Sequence, residues 1–192
     1  MRRLIVGISG ASGAIYGIRA LEALGDVPDI ETHLVLSPSA RRTIADETDW
    51  KVSAVEALAD VVHHHADIGA AISSGSYITM GMIVAPCSIK TLSEISMSHD
   101  ANLLTRAAAV CLKERRPLVL LVREAPLHLG HLELMTRAAR YGAVILPPMP
   151  AFYNRPKTVD DIVKHTVGKA LDQFGIQHAL MKRWKDEPAA PE

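Results

Sequence analysis

Short apolar runs alternate along the chain with stretches of helical periodicity. The runs contain four or five residues rich in Val, Ile and Leu, as expected of strands buried on both faces. They are Leu4–Ile8, Thr32–Leu36, Met82–Ala85, Leu118–Val122 and Ala143–Leu146. Helical patterns fill the intervals at Ala14–Leu24, 37–43, Ile89–Ile95, Leu103–Leu112, Leu129–Tyr141 and Val159–Phe174. The alternation predicts a doubly wound α/β fold with a parallel sheet in a single domain.

The first predicted strand runs into a glycine-rich turn, GISGASG at positions 7–13. A turn between a strand and a helix presents free backbone N–H groups and the positive end of the helix dipole, which suit a phosphate. The Gly7, Gly10 and Gly13 spacing is neither that of a Walker A loop nor that of the dinucleotide fingerprint. A phosphate or mononucleotide site is favoured, and a plain glycine turn is the alternative.

Polar residues also follow the other predicted strands, where ligands bind in sheets of this kind. Ser37 follows the second strand, and PCSIKT at 86–91 follows the third. Ser88 and Thr91 either cap a helix or form a second anchoring loop, with Lys90 nearby or solvated. Arg123 and Glu124 directly follow the fourth strand. A charged pair leaving a buried strand favours function, because buried charges are costly unless they are paired or used.

Composition narrows the class of protein. The 192 residues include 21 Lys plus Arg and 21 Asp plus Glu, so the net charge indicates neither a nucleic-acid nor a membrane partner. Cys87 and Cys111 form no disulfide framework, and we expect a cytoplasmic protein.

The runs 63–65 and 128–131 contain histidines but no complete ligand pattern, so no metal site is predicted. A nucleophilic role for Cys87 has weak support, because no histidine base is evident in sequence.

Eight motifs in order resemble the UbiX family of flavin prenyltransferases, from about residue 3 to Trp184. They are GISGASGA at 7–14, LSPSA at 36–40, ETD at 47–49, ISSGS at 72–76, PCSIKTL at 86–92, LLTRAA at 103–108, LKERRPLVLLVRE at 112–124 and PPMPAFYNRP at 147–156. The resemblance implies a flavodoxin-like or Rossmann-like domain that binds FMN without a metal. It also implies a homo-oligomer, a dodecamer, whose active sites are shared between subunits.

The same resemblance implies a reaction and its partners. A dimethylallyl group from dimethylallyl monophosphate, or the diphosphate, is joined to N5 and C6 of reduced FMN. The product, prenylated FMN, serves a UbiD-type decarboxylase in ubiquinone synthesis or phenolic-acid decarboxylation. The chemistry requires cations for the leaving phosphate and a dry pocket for the allylic cation.

Site residues follow from the family motifs. The resemblance assigns FMN binding to Gly10, Ala11, Ser12, Ser37, Ser88, Ile89, Lys90, Thr91 and Arg123. It assigns the substrate phosphate to Arg106, Lys113, Arg123, Tyr153 and Lys169. The catalytic group it implies is Ser12, Glu47, Lys113, Glu124 and Trp184. Among these, Ser12 relays a proton, Glu124 acts as an acid, and Trp184 steadies the prenyl cation.

Position 169 departs from the family, which usually has arginine there. Lysine keeps the charge but loses the bidentate fork, so the preference for mono- or diphosphate stays open.

The domain is expected to span residues 1–184, with a frayed tail at 185–192. A flavodoxin-like electron carrier and a structural subunit of a decarboxylase complex are the alternatives. A related cysteine decarboxylase is a further rival, although neither His33 nor the run 63–65 is well placed for its histidine.

Overall fold

The computed structural model describes residues 1–183, which form six strands and seven α-helices. The strands are β1 (Arg2–Ile8), β2 (Ile30–Leu36), β3 (Val61–His63), β4 (Gly81–Cys87), β5 (Leu118–Val122) and β6 (Val144–Ile145). The helices are α1 (Ala14–Gly25), α2 (Pro38–Glu47), α3 (Val52–Glu56), α4 (Ile89–Ser96), α5 (Leu103–Lys113), α6 (Leu129–Arg140) and α7 (Val159–Asp172). Short 3-10 turns lie at Ala71–Ser73 and Phe152–Asn154.

All strand pairs of the sheet are parallel, in the order β3-β2-β1-β4-β5-β6. This is the Rossmann strand order, and the direction of winding reverses between β1 and β4. The predicted doubly wound α/β class is therefore confirmed. The crevice at the carboxyl ends of β1 and β4 is where such a sheet binds its ligand.

Helices cover both faces of the sheet. Leu4, Val6 and Ile8 alternate along β1 and pack on one face with residues of α1, α2 and α7. Ile5 points to the other face and packs with residues of α4, α5 and α6. Burial on both sides explains why the strands appear as continuous apolar runs rather than alternating ones.

The structure extends or corrects several predicted bounds. Strand β4 does not stop before Pro86 but continues to Cys87, with an irregular register between Val84 and Cys87. Helix α2 runs four residues beyond Thr43, to Glu47. Strand β3 and helix α3 were not predicted: Val61–His63 is a three-residue edge strand in which no residue is fully buried, so it lacks an apolar run.

Two further findings concern the chain as a whole. Among residues 1–183, no helix combines the length and apolarity needed to cross a bilayer. Cys87 and Cys111 are both free and buried. Burial raises the pKa of both thiols, that of Cys111 to about 12, so neither is poised to act as a nucleophile.

Candidate functional site at the carboxyl edge of the sheet

Three helices begin at the carboxyl edge, after β1, β2 and β4. Gly13 precedes α1 with φ at 100°, a left-handed conformation that glycine adopts without strain. Ser37 caps α2 by accepting a hydrogen bond from Ala40 N at 3.0 Å. Ser88 caps α4 by accepting one from Thr91 N at 3.2 Å. The capping interpretation of Ser88 is therefore correct, and the same geometry gathers the positive ends of three helix dipoles at one edge.

Ser9 joins the loops that follow β1 and β4, and the sequence did not single it out. Its side chain is 1% exposed. The hydroxyl donates to Pro86 O at 2.9 Å and accepts from Ser88 N at 2.7 Å. Both loops are thereby fixed across the point where the winding reverses.

A cavity of about 310 Å³ opens between these helix ends. Its lining includes Gly10, Ser37, Ser39, Ser88 and Thr91, together with His65 and Asn102. A Cβ at Gly10 would lie 2.2 Å from Ser39 Cβ, so the loop can approach α2 only because residue 10 is glycine. Hydroxyls, free N–H groups and a close backbone approach together fit a phosphate group.

Glu47, the last residue of α2, contacts the first loop directly. Its Oε2 accepts a hydrogen bond from Gly13 N at 2.7 Å. The carboxylate therefore holds the turn that leads into α1. Ser12 is exposed beside it and free to face a ligand, while Ala11 is buried under the loop.

Arg123 and Glu124 leave β5 at the same edge. Arg123 N donates to Cys87 O at 3.0 Å, which places the pair beside the β4 loop. Burial raises the pKa of the Tyr16 phenol on α1, and the positive charge of Arg123 partly offsets that rise. The sequence argument for a functional role assumed that these two charges are buried. Both residues are exposed in the chain, so that argument was wrong. Their position at the carboxyl edge of the sheet is as predicted.

Lys90 forms an ion pair with Glu94 one turn further along α4, and its side chain is 78% exposed. It lines the cavity without pointing a free charge into it. Asn102 donates to the same carboxylate through Nδ2 at 3.3 Å. Ile89, the first residue of α4, is half-buried.

Arg106 and Lys113 lie on one face of α5, seven residues apart, which is two helical turns. Arg106 Nε donates to Ser73 O at 3.1 Å, and its Nη1 pairs with Asp100 at 2.8 Å. Lys113 pairs with Glu114 at the end of α5, five residues before β5 starts. Lys113 thus lies toward the amino edge of its own sheet, away from the Gly10 loop.

Tyr153 and Lys169 form a third group, on the 3-10 turn after β6 and on α7. Tyr153 OH lies 2.9 Å from His165 Nε2, and His165 precedes Lys169 by one turn. Lys169 Nζ lies 3.8 Å from Asp172. A cavity of about 670 Å³, lined by His165 and by residues 154–157 and 179–182, lies beside this group. Trp184 and the tail at 185–192 lie outside the described residues.

Histidines of both runs make side-chain contacts within the fold. His33 Nδ1 and His63 Nε2 are 2.9 Å apart, and the rings of His128 and His131 are in contact, tilted by 36° with centroids 3.5 Å apart. Within residues 1–183, no three side chains of His, Cys, Asp or Glu come together as a metal-ligand group.

Comparisons with known proteins agree with this geometry. Residues 1–171 match the family model described as Flavoprotein. The flavin prenyltransferase UbiX of Escherichia coli K12 is 63% identical over 187 residues, covering 96% of this chain and 99% of that protein. The flavin prenyltransferase UbiX of Thauera aromatica is 61% identical over 182 residues, covering 95% of this chain and 93% of that protein.

Solved structures show the same similarity. The crystal structure of AnUbiX (PadA1) in complex with FMN and dimethylallyl pyrophosphate superposes with a TM-score of 0.94 at 46% identity, covering 97% of this chain and 99% of that one. A dodecameric FMN-dependent UbiX-like decarboxylase from Escherichia coli O157:H7 gives 0.93 at 53% identity, covering 95% and 99%. The chain therefore belongs to the flavoprotein family and, within it, to the UbiX flavin prenyltransferases.

Proposed function

We propose that this protein transfers a dimethylallyl group from dimethylallyl monophosphate, or the diphosphate, to N5 and C6 of reduced FMN. The observation that carries the proposal is the hydroxyl-lined cavity between the starts of α2 and α4, in a chain 63% identical to a flavin prenyltransferase. This identity favours the transferase over the electron carrier and the structural subunit.

FMN is the prenyl acceptor, and its phosphate fits the cavity lined by Gly10, Ser37, Ser88 and Thr91. The positive ends of the helix dipoles stabilise the charge of that phosphate. Ser12 and Glu124 lie at the same edge, one on the first loop and one after β5. When bound there, the reduced flavin ring supplies the nucleophilic atoms, and these two side chains face it.

The allylic C–O bond breaks in the reaction, and its electron pair leaves with the phosphate. Arg123 at the carboxyl edge supplies a fixed positive charge for that phosphate. Glu124 donates a proton to it, and Ser12 relays the proton that flavin C6 loses. Trp184, which lies outside the described residues, steadies the allylic cation through its aromatic face.

The remaining phosphate ligands come from more than one subunit. Lys113 lies at the end of α5, away from the Gly10 loop of its own chain, so we infer that a second copy brings it to the site. Arg106 lies nearer to the cavity, one turn after Asn102, which lines it. Leu127, Leu129 and Leu132 around the start of α6 are between 41% and 70% exposed, which favours burial in an assembly. A dodecamer like that of the Escherichia coli O157:H7 relative accommodates such a shared site.

The product is prenylated FMN, and its consumer is a UbiD-type decarboxylase. The cytoplasmic location expected from the two unpaired cysteines is part of the same proposal.

A coupled assay tests the function and the partner together. The protein is incubated anaerobically with reduced FMN and dimethylallyl monophosphate, filtered, and the filtrate is added to a UbiD-type apo-decarboxylase made without a prenyltransferase. We expect CO₂ release that depends on both the protein and the prenyl donor. CO₂ release with FMN alone, or none with either prenyl donor, would contradict the proposal.

A further inference from the structure

His65 lines the cavity between the starts of α2 and α4, and the proposed function gives it no role. It follows strand β3 by two residues, and β3 pairs with β2 in parallel. The carboxyl end of β3 therefore reaches the same edge of the sheet as Ser37, which follows β2. His65 shares the cavity with the hydroxyls of Ser37, Ser88 and Thr91.

The backbone around His65 is fixed from two sides. Nε2 of His63, the last residue of β3, lies 2.9 Å from Nδ1 of His33 on β2. The carbonyl of His65 accepts a hydrogen bond from Leu103 N, at the start of α5, at 3.0 Å. The ring nitrogens of His65, by contrast, make no hydrogen bond within residues 1–183. The half-buried imidazole is thus held at the cavity with its nitrogens available to a ligand.

The charges that line the cavity do not balance a phosphate. Lys90 and Glu94 form an ion pair there, and Asn102 donates to the same carboxylate through Nδ2 at 3.3 Å. The formal charge of the lining is therefore zero while His65 is neutral. A phosphate monoester carries a charge of about −1.5 to −2 at neutral pH. A protonated His65 supplies one full positive charge and two N–H donors, and charge-assisted hydrogen bonds of this kind are the strong ones.

We propose that His65 is a ligand of the FMN phosphate and, in its protonated form, supplies the positive charge that the lining of the cavity otherwise lacks. The proposal rests on the proposed function in one respect, since it takes FMN as the occupant of the cavity. It does not depend on prenyl transfer. Loss of His65 therefore weakens FMN binding and leaves turnover at saturating FMN unchanged.

The contribution of His65 depends on pH. In the free protein, burial holds the pKa of the imidazole below its usual value, as do the charges of His64 and Lys90, whereas Glu94 raises it. A bound phosphate raises this pKa, because an anion favours the imidazolium. The gain in affinity is therefore complete below the pKa of the free imidazole and is lost as the pH rises through the pKa of the bound state.

The test is the Kd for FMN, measured by fluorescence titration of the assembled protein between about pH 5.5 and about pH 8.5. His65→Gln keeps a hydrogen-bonding group but never carries a charge. We expect it to raise Kd about tenfold at the acidic end and about twofold or less at the basic end. The ratio of the two Kd values at each pH isolates His65, because the FMN phosphate, which itself titrates near about pH 6, is common to both proteins.

Riboflavin and a second histidine variant separate phosphate binding from a general loss of structure. Riboflavin lacks the phosphate, so His65→Gln should leave the Kd for riboflavin unchanged at every pH. His99→Gln removes an exposed histidine that does not line the cavity and should keep the wild-type profile for FMN.

The outcomes are distinct. An unchanged Kd for FMN in His65→Gln, a Kd ratio that does not fall as the pH rises, or an equal loss of riboflavin affinity would overturn the role of His65. A wild-type protein that binds FMN with the expected pH profile but forms no prenylated FMN would refute the proposed function and leave the role of His65 standing. A wild-type protein that binds no FMN would refute both.

Discussion

The Ser9 hydroxyl accepts a hydrogen bond from the Ser88 backbone N–H at 2.7 Å and so ties the β1 loop to the start of α4. The two residues are 79 positions apart in sequence and belong to neighbouring strands of the sheet. Because Ser88 also caps α4, one buried hydroxyl sets both walls of the phosphate cavity.

Ser9→Ala should destabilise the protein by about 1–3 kcal/mol, because Ser88 N and Pro86 O lose a buried partner. It should also weaken FMN binding, since the two loops are no longer held together. Thermal unfolding and fluorescence titration with FMN measure the two effects. Ser53→Ala, at an exposed position of α3, is the matched control and should change neither. Unaltered FMN affinity in Ser9→Ala would show that the loops keep their places without it.

Gly10→Ala should reduce FMN affinity by about tenfold or more, because the added Cβ would meet Ser39 Cβ at 2.2 Å and push the loop away from α2. Gly25→Ala is the control, since a Cβ at Gly25 meets nothing within 4 Å. The measurement is the Kd for FMN of both variants. Equal affinities would mean that the loop tolerates a side chain and that the close approach is not needed.

Two substitutions at Glu47 separate its structural and chemical roles. Glu47→Gln keeps an oxygen that can accept from Gly13 N, so FMN should bind as in the wild type. Glu47→Ala removes the acceptor and should weaken FMN binding several-fold. If the carboxylate also takes part in the chemistry, Glu47→Gln should lower turnover about 10²-fold despite normal FMN binding. Wild-type turnover in Glu47→Gln would restrict the residue to holding the turn.

Glu124→Gln should lower turnover by about 10²-fold or more while FMN still binds, because the amide cannot donate the proton that the leaving phosphate requires. Glu124 lies after β5 and outside the phosphate cavity, and its Oε1 accepts only from Ala125 N among the contacts of residues 1–183. Single-turnover kinetics with preloaded FMN measure the chemical step. Full activity would rule out the acid role.

Lys169→Arg should change KM for the prenyl donor more than kcat. Arginine offers two parallel donors to a phosphate, whereas lysine offers a point charge that here also faces Asp172 at 3.8 Å. We expect a several-fold lower KM with the monophosphate. The diphosphate, measured in parallel, shows whether position 169 sets the choice of donor. Equal changes in KM and kcat would indicate that the residue acts in the transition state instead.

The sheet and the helix starts at its carboxyl edge could be predicted because their signals are local. Strand burial on both faces produces apolar runs, and Ser37, Ser88 and Gly13 stand where helix starts require them. Ser9, by contrast, is one of two serines in a glycine-rich turn, and its partners lie 77 and 79 residues away. No local pattern distinguishes it from Ser12.

Other features depend on tertiary packing and were missed for that reason. Strand β3 is three residues long and half-exposed, so only its pairing with β2 defines it. His165 follows the helical pattern of α7 as an ordinary polar position, and its contact with Tyr153 depends on how the 3-10 turn folds back. The wrong argument at Arg123 and Glu124 assumed that the burial of β5 continues past Val122, whereas the chain emerges at the sheet edge.

The most direct test of the central claim is the mass of the flavin after anaerobic incubation of the protein with reduced FMN and dimethylallyl monophosphate. We predict a gain of one five-carbon prenyl unit, abolished when the prenyl donor is omitted. If the monophosphate gives no product, the diphosphate is the next donor to use. Unmodified FMN with both donors, on a protein that still binds FMN, would contradict the account and favour an electron carrier.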